Sequence, residues 1–130
     1  MTTWTDLQAH VHSTYEIADD QPGYMKLIFE TEHLRSQVVV LALETLLDGA
    51  EEWCTIQSPI GDIADLDLLA VLRASEDMLV GGLGLIGDLV VVKHSVPLED
   101  MNITEFERPL ALVIYAADRL EAKFAGGDVH

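Results

Sequence analysis

The sequence predicts an α+β domain, a mostly antiparallel sheet of five strands with three helices, in the order α-β-β-β-α-β-β-α. Three observations lead there. Apolar residues recur at spacings of three and four near both ends of the chain, which is the helical period. Between them lie short runs that alternate apolar and polar or are apolar throughout, which is how strands read. Finally, Gly87-Asp88 separates two such runs by the two residues that a tight hairpin needs. A chain of 130 residues suits one core, so residues 1–125 are read as a single domain and Gly126 to His130 as a short flexible tail.

The first helix is expected from Thr3 to Ala18, where Trp4, Leu7, Val11, Tyr15 and Ala18 form one stripe. Thr3 and Asp6 have the spacing of a capping box at its start. Asp19-Asp20-Gln21-Pro22-Gly23 should end it, because these residues favour turns and proline has no amide to donate. Strand one follows with Met25, Leu27 and Phe29 on its apolar face, and Glu32-His33 is a turn. Strand two, Arg35 to Leu43, is apolar on both sides: Val38, Val40 and Ala42 on one, Val39, Leu41 and Leu43 on the other. After a loop at Leu47 to Ala50, Trp53 to Ser58 is a third strand stopped by Pro59 and Gly61.

Asp62 is placed to cap the second helix, with Ile63, Leu66, Leu69, Ala70 and Leu72 on one side and Ser75-Glu76-Asp77 closing it. Met78 to Ile86 and Leu89 to Val96 are the hairpin strands, ended by Pro97. In the last helix Phe106, Leu110, Val113, Ala117, Leu120 and Phe124 lie on one stripe. Asn102 with Glu105, or Thr104 with Glu107, can cap it. Pro109 then implies a kink or a later start, since an interior proline costs about 3 kcal/mol.

Charge narrows the partners. With 7 Lys and Arg against 23 Asp and Glu, the chain carries −16. Nucleic acids and anionic membranes draw proteins through clustered cations, so neither is an expected partner. Apolar runs such as Val38 to Leu43 are far below the ~20 residues of a membrane span. The first six residues lack a basic, apolar leader, and the single Cys54 forms no internal disulfide. A cytoplasmic protein is the expectation.

No catalytic or cofactor set emerges. Gly82-Leu83-Gly84-Leu85-Ile86-Gly87 has the spacing of a dinucleotide loop, yet a strand follows where a helix N-terminus would be required. His10 and His12 project about 200° apart on a helix and cannot chelate one ion from one face. Cys54 with His94 lacks a group that would activate the thiol. Ser58 lacks the flanking glycines of a nucleophile elbow. The carboxylates gather at element ends, where solvation and helix dipoles account for them. Neither a metal nor a cofactor is therefore expected.

What does call for explanation is surplus apolar surface. Strand two and Val90-Val91-Val92 offer side chains to both sides of the sheet, and two helices suffice to cover one. Helix two, a twin subunit or a bound peptide could cover the other.

Several segments are similar to a known family: Arg35 to Val40; Trp53 with Ile56 to Gly61; Gly87-Asp88 before Leu89 to Leu98; and Phe106-Glu107-Arg108-Pro109-Leu110. In these, and in element order, the chain resembles YbjN-type domains of the type III secretion chaperone-like superfamily. The resemblance implies a small acidic homodimer that binds segments of other proteins without catalysis. Ile28, Val38 and Val40 are then the expected peptide-binding residues, and Leu66, Leu69 and Ala70 the expected dimer contacts. The acidic rim would favour basic client segments. A regulatory or structural interaction protein is the alternative, ahead of an enzyme or small-ligand protein.

Overall fold

The computed structural model describes residues 2–31 and 35–125. In chain order these form α1 (Trp4–Thr14), β1 (Ile17–Gln21), β2 (Tyr24–Glu30), β3 (Ser36–Leu46) and β4 (Glu51–Asp62). There follow α2 (Leu68–Ala74), β5 (Gly82–Ile86), β6 (Leu89–Pro97) and α3 (Ile103–Leu120), with a 3-10 turn at Ser75–Asp77 and a π turn at Glu121–Ala125. The strands make one antiparallel sheet in the order β1-β2-β3-β4-β6-β5. The expected turn at Glu32-His33 and the tail from Gly126 to His130 fall outside the described residues.

The sheet has six strands where five were expected, because the first helix stops early. Thr3 and Asp6 do form the capping box, with Thr3 Oγ1 accepting from the Asp6 amide at 3.2 Å and Asp6 Oδ2 from the Thr3 amide at 3.0 Å. Trp4, Leu7 and Val11 are buried as predicted. Tyr15, however, is extended (φ −126°, ψ 159°) and turns its ring edge-on to Phe29, 5.2 Å between centroids. Its helical spacing from Val11 is coincidental. The chain then enters β1, and Pro22-Gly23 joins β1 to β2, with Gln21 opposite Tyr24. Gly23 at φ +71° supplies the positive dihedral that a Pro-Gly turn of type II requires.

Three boundaries move for related reasons. β4 runs through Pro59 to Asp62 instead of stopping. Its pairing with β3 ends at Gln57, and side chains take over: Ser58 Oγ donates to the Val38 carbonyl at 2.6 Å and Gln37 Nε2 donates to the Pro59 carbonyl at 2.8 Å. A register shift between Pro59 and Gly61 bends the strand there. The second helix begins at Leu68, capped by Asp67 Oδ1 on the Ala70 amide (3.2 Å); Asp62 instead accepts from the Ala64 amide at 2.9 Å in a tight turn. The buried residue of α2 is Val71, while Leu69 and Leu72 are 58% and 56% exposed. β5 starts only at Gly82, so Met78 to Gly81 is not strand. Gly87 at φ +57°, with Asp88 not positive, turns the chain into β6.

In α3, Asn102 Oδ1 accepts from the Thr104 amide at 3.0 Å, and Phe106, Leu110, Val113, Ala117 and Leu120 are buried on the predicted stripe. The helix starts no later than Asn102 allows, so Pro109 lies inside it. Its missing amide leaves the Glu105 carbonyl without a helical donor, and Glu105 is on the exposed side.

One core unites Trp4, Leu7 and Val11 of α1, Val71 of α2 and the α3 stripe with one face of the sheet: Met25, Leu27, Val39, Leu41, Cys54, Ile56, Ile60, Val90, Val92 and Val96. Each fully buried aliphatic or aromatic side chain contributes about 1.5–3 kcal/mol. The two sheet edges differ: β1 carries Asp19 and Asp20, whereas β5, Gly-Leu-Gly-Leu-Ile, carries no charge.

Candidate binding surface

Because side chains alternate across a strand, the register fixes what lies on the other face of the sheet. Ile28 sits opposite Val38, Lys26 opposite Val40 and Tyr24 opposite Ala42. Val40 continues to Gln57 and Ala42 to Thr55. Gln57 continues to Lys93, Thr55 to Ser95 and Pro59 to Val91. Lys93 ends the row at Gly82, and Val91 ends its own at Gly84. Ile28, Val38 and Val40 are absent from the core and the residues packed on it, so the three helices leave this part of the sheet uncovered, whereas Val91, further along the same face, is fully buried. Ile28 is 39% exposed and Val38 and Val40 are half-buried, which makes this face a mixed apolar floor.

Buried polar contacts brace the strands behind and across this floor. Gln37 Nε2 donates to Ser58 Oγ at 2.8 Å, and both side chains are almost fully enclosed. Thr55 Oγ1 and Ser95 Oγ lie 3.0 Å apart on the open face itself. At the start of β3, Arg35 is 8% exposed and reaches α3: its Nη2 donates to the Asp118 carbonyl at 2.8 Å and pairs with Asp118 Oδ1 at 2.7 Å and Glu121 Oε1 at 3.3 Å. These contacts tie the strand carrying Val38 and Val40 to the helix behind it.

The histidines are occupied separately. His10 Nε2 contacts Glu107 Oε1 and Tyr15 donates its hydroxyl to Glu107 Oε2, joining α1 to α3, while His12 pairs with Asp20 at 2.6 Å. Burial first, then the hydrogen bond to Glu107 and its charge, push the Tyr15 hydroxyl well above the ordinary tyrosine range. Cys54 is fully enclosed and burial pushes its thiol up to about 12, the opposite of an activated nucleophile. Cys54 faces the core with Ile56, and His94 lies opposite Ile56 in the next strand. Among the described residues no three His, Cys, Asp or Glu side chains are placed to hold a metal. Gly82 to Gly87 forms a hairpin strand and its turn, with a strand after it.

Further exposed leucines lie on α2, before β5 and on β5 itself. Leu68, Leu69 and Leu72 of α2 are 40%, 58% and 56% exposed, Leu79 is 95% exposed and Leu85 57%. Of the three expected dimer contacts, Leu69 and Ala70 lie here, whereas Leu66, 9% exposed, packs into the chain's own core. Beside it a cleft of about 650 Å³ separates α2 from the end of α3; Arg73, Arg119 and Lys123 line it against Asp67, Glu76 and Asp77, so its charges balance.

No family model matches the chain, and no curated protein does. Among solved structures, a chain of the HopA1-SchA chaperone-effector complex superposes with a TM-score of 0.61 over 90% of this chain and 88% of that one, at 17% identity. The likeness is one of fold. It places this α+β architecture, with its antiparallel sheet and three α-helices, beside that of a chaperone-effector assembly. It spans nearly the whole chain.

Sequence reasoning separated the two faces of β2 and β3 correctly, because period two is read directly. It missed that Thr55, Gln57, Pro59, Val91, Gly82 and Gly84 extend the open face across three more strands. The parity of each strand was legible; the strand order was not. No helix among the described residues is long and apolar enough to cross a membrane.

Proposed function

We propose that this chain is a non-catalytic, chaperone-like module that holds a segment of a client protein on its open sheet face and acts as a homodimer, in the manner of YbjN-type domains. The observation that carries this is the uncovered face itself: Ile28, Val38 and Val40 form an apolar floor that α1, α2 and α3 leave open. The likeness in fold to a chain of a chaperone-effector complex supports a client that is itself a protein. At −16 the chain draws basic flanks of a client toward it at long range, and apolar contact supplies the affinity. The setting we infer is the cytoplasm.

The test selects binders from a displayed library of 12-residue peptides and measures them by calorimetry against wild type and Val38→Thr/Val40→Thr. The variant keeps the shape and adds hydroxyls to the floor, so affinity falls about tenfold or more, while the melting curve moves little because both side chains are half-buried. Unchanged affinity places the site elsewhere. Unfolding of the variant assigns the valines to structure and ends the proposal.

The dimer is proposed to use the uncharged β5 edge with Leu69, Ala70 and Leu72 of α2. Light scattering is expected to give twice the 14.3 kDa chain mass. Leu69→Asp/Leu72→Asp, which adds charge at two exposed positions, should return the mass to a single chain without lowering the melting temperature. A wild-type monomer at high micromolar concentration would overturn this assignment.

A further inference from the structure

The charge of the open face is unevenly spread. Asp19, Glu30, Glu44, Glu51 and Asp62 share it with Lys26 and Lys93, so it is negative like the whole chain. The lysines stand in one row, and Asp19 lies directly opposite Lys26. Glu44 and Glu51 have no such neighbour. Glu44 stands opposite Trp53 and Glu51 opposite Leu46, two residues further along both strands, so the two carboxylates are diagonal neighbours across β3 and β4. The lysine row crosses β3 at Val40, four residues or about 13 Å from Glu44, beyond the ~8 Å over which exposed charges act at physiological salt. Among the described residues no cation pairs with either carboxylate.

Apolar groups frame this corner. Trp53 is half-buried, and its Nε1 donates to Glu51 Oε1 at 3.0 Å, which ties the indole edge to that carboxylate. Leu46, 51% exposed, lies on one side of the Glu44–Trp53 row, and half-buried Ala42 lies on the other. Beyond Ala42 the same side of β3 continues to Val40 and Val38. Read along the strand, an acidic and aromatic step is set between apolar ones. An ammonium or guanidinium matches such a step, because the ring face attracts a cation through its quadrupole and the carboxylates attract it through their charge.

We propose that the client segment lies extended along β3 and sets one lysine or arginine on the Glu44–Trp53 row, with apolar side chains two residues to either side of it on Ala42 and Leu46. This rests on the reading of the open face as the client site and gives that site a register. An extended chain advances about 3.3 Å per residue and returns to the same side every second residue, the repeat of the strand beneath it. Side chains at i−2, i and i+2 therefore match Leu46, Glu44 and Ala42 in either chain direction, and the next in line reaches Val40. The net charge of the molecule attracts basic clients without choosing among their residues. The corner selects a basic residue that has an apolar one on each side.

Two nine-residue peptides decide it. Both carry leucine two and four residues to either side of the centre, with serine between; one has arginine at the centre and the other citrulline, which keeps the shape without the charge. Affinities are measured by fluorescence anisotropy at two salt concentrations. Wild type should bind the arginine peptide about tenfold more tightly, and salt should shrink the difference. Glu44→Gln/Glu51→Gln, which keeps an acceptor for the Trp53 indole, should bring the two affinities together. Glu76→Gln/Asp77→Asn, the same charge change in the 3-10 turn, should leave the preference as it is in wild type. Equal affinities in wild type, a preference that survives Glu44→Gln/Glu51→Gln, or its equal loss in Glu76→Gln/Asp77→Asn overturns the assignment of the corner. The face then stands as a binding surface if Val38→Thr/Val40→Thr still weakens both peptides. Failure of both peptides to bind wild type overturns this inference, and the library selection then decides the underlying reading by itself.

Discussion

Replacing Arg35 by Met is expected to cost about 3 kcal/mol of stability and to lower the melting temperature by roughly 10 °C. The guanidinium is almost enclosed, and the Asp118 side chain beside it is only 18% exposed. Removing the cation leaves that carboxylate and the Asp118 carbonyl without their partner, and an uncompensated charge in a poorly hydrated site is what makes such losses large. The second half of the experiment removes the charge as well. Arg35→Met/Asp118→Leu should recover a good part of the loss, because an apolar pair of similar volume has nothing left to desolvate. Chemical denaturation of the four proteins in the cycle gives the coupling directly. A single-variant loss below 1 kcal/mol would mean that water reaches the pair and that β3 is not anchored through it.

The second large effect appears in alkali. In the unfolded chain the Cys54 thiol ionises near 9.0, whereas burial in the fold pushes it up to about 12. Between these values the folded state keeps a proton that the unfolded state has released. Stability is therefore complete below pH 9 and falls as pH rises, by up to about 1.4 kcal/mol per pH unit. Tyr15, also raised, adds to the slope above pH 10. Denaturant midpoints measured from pH 7 to 11 should trace this decline. Cys54→Ala should remove the part between pH 9 and 10, even though the smaller side chain lowers the starting stability. Parallel pH curves for the two proteins would show that the thiol is hydrated in the fold.

How far the fold could be read beforehand follows from the range of the signals. The stripe of α3 and the Thr3–Asp6 cap are local, set within a turn or a few, and both stand where expected. The failures are tertiary. Tyr15 continues a helical spacing but is drawn to Phe29 and Glu107, contacts that no local window contains. Pro59 looks like a strand terminator until Gln37 and Ser58 are seen to satisfy its surroundings. Ile63, Leu66, Leu69, Ala70 and Leu72 read as one side of the second helix, but the short helix begins only at Leu68 and turns Val71 inward. On the open face, the shared parity of Ile28, Val38 and Val40 was legible from alternation, while the role expected of them came from the family resemblance. Lys26 and Lys93, far apart in sequence, share a row only because β6 lies beside β4.

The unequal edges of the sheet also set a limit on growth. A sheet whose two rims both accept strands is a monomer unit in the polymer sense: each addition exposes a fresh acceptor, and a ribbon results. Here one rim is neutral and the other holds Asp19 and Asp20. Two copies that meet neutral rim to neutral rim turn an acidic rim outward at each end, and the next addition would set like charges against each other. Assembly through the proposed β5 rim would thereby be finite by construction, and a chain rich in valine and leucine would keep a sheet of continuous strands without becoming the seed of a fibre.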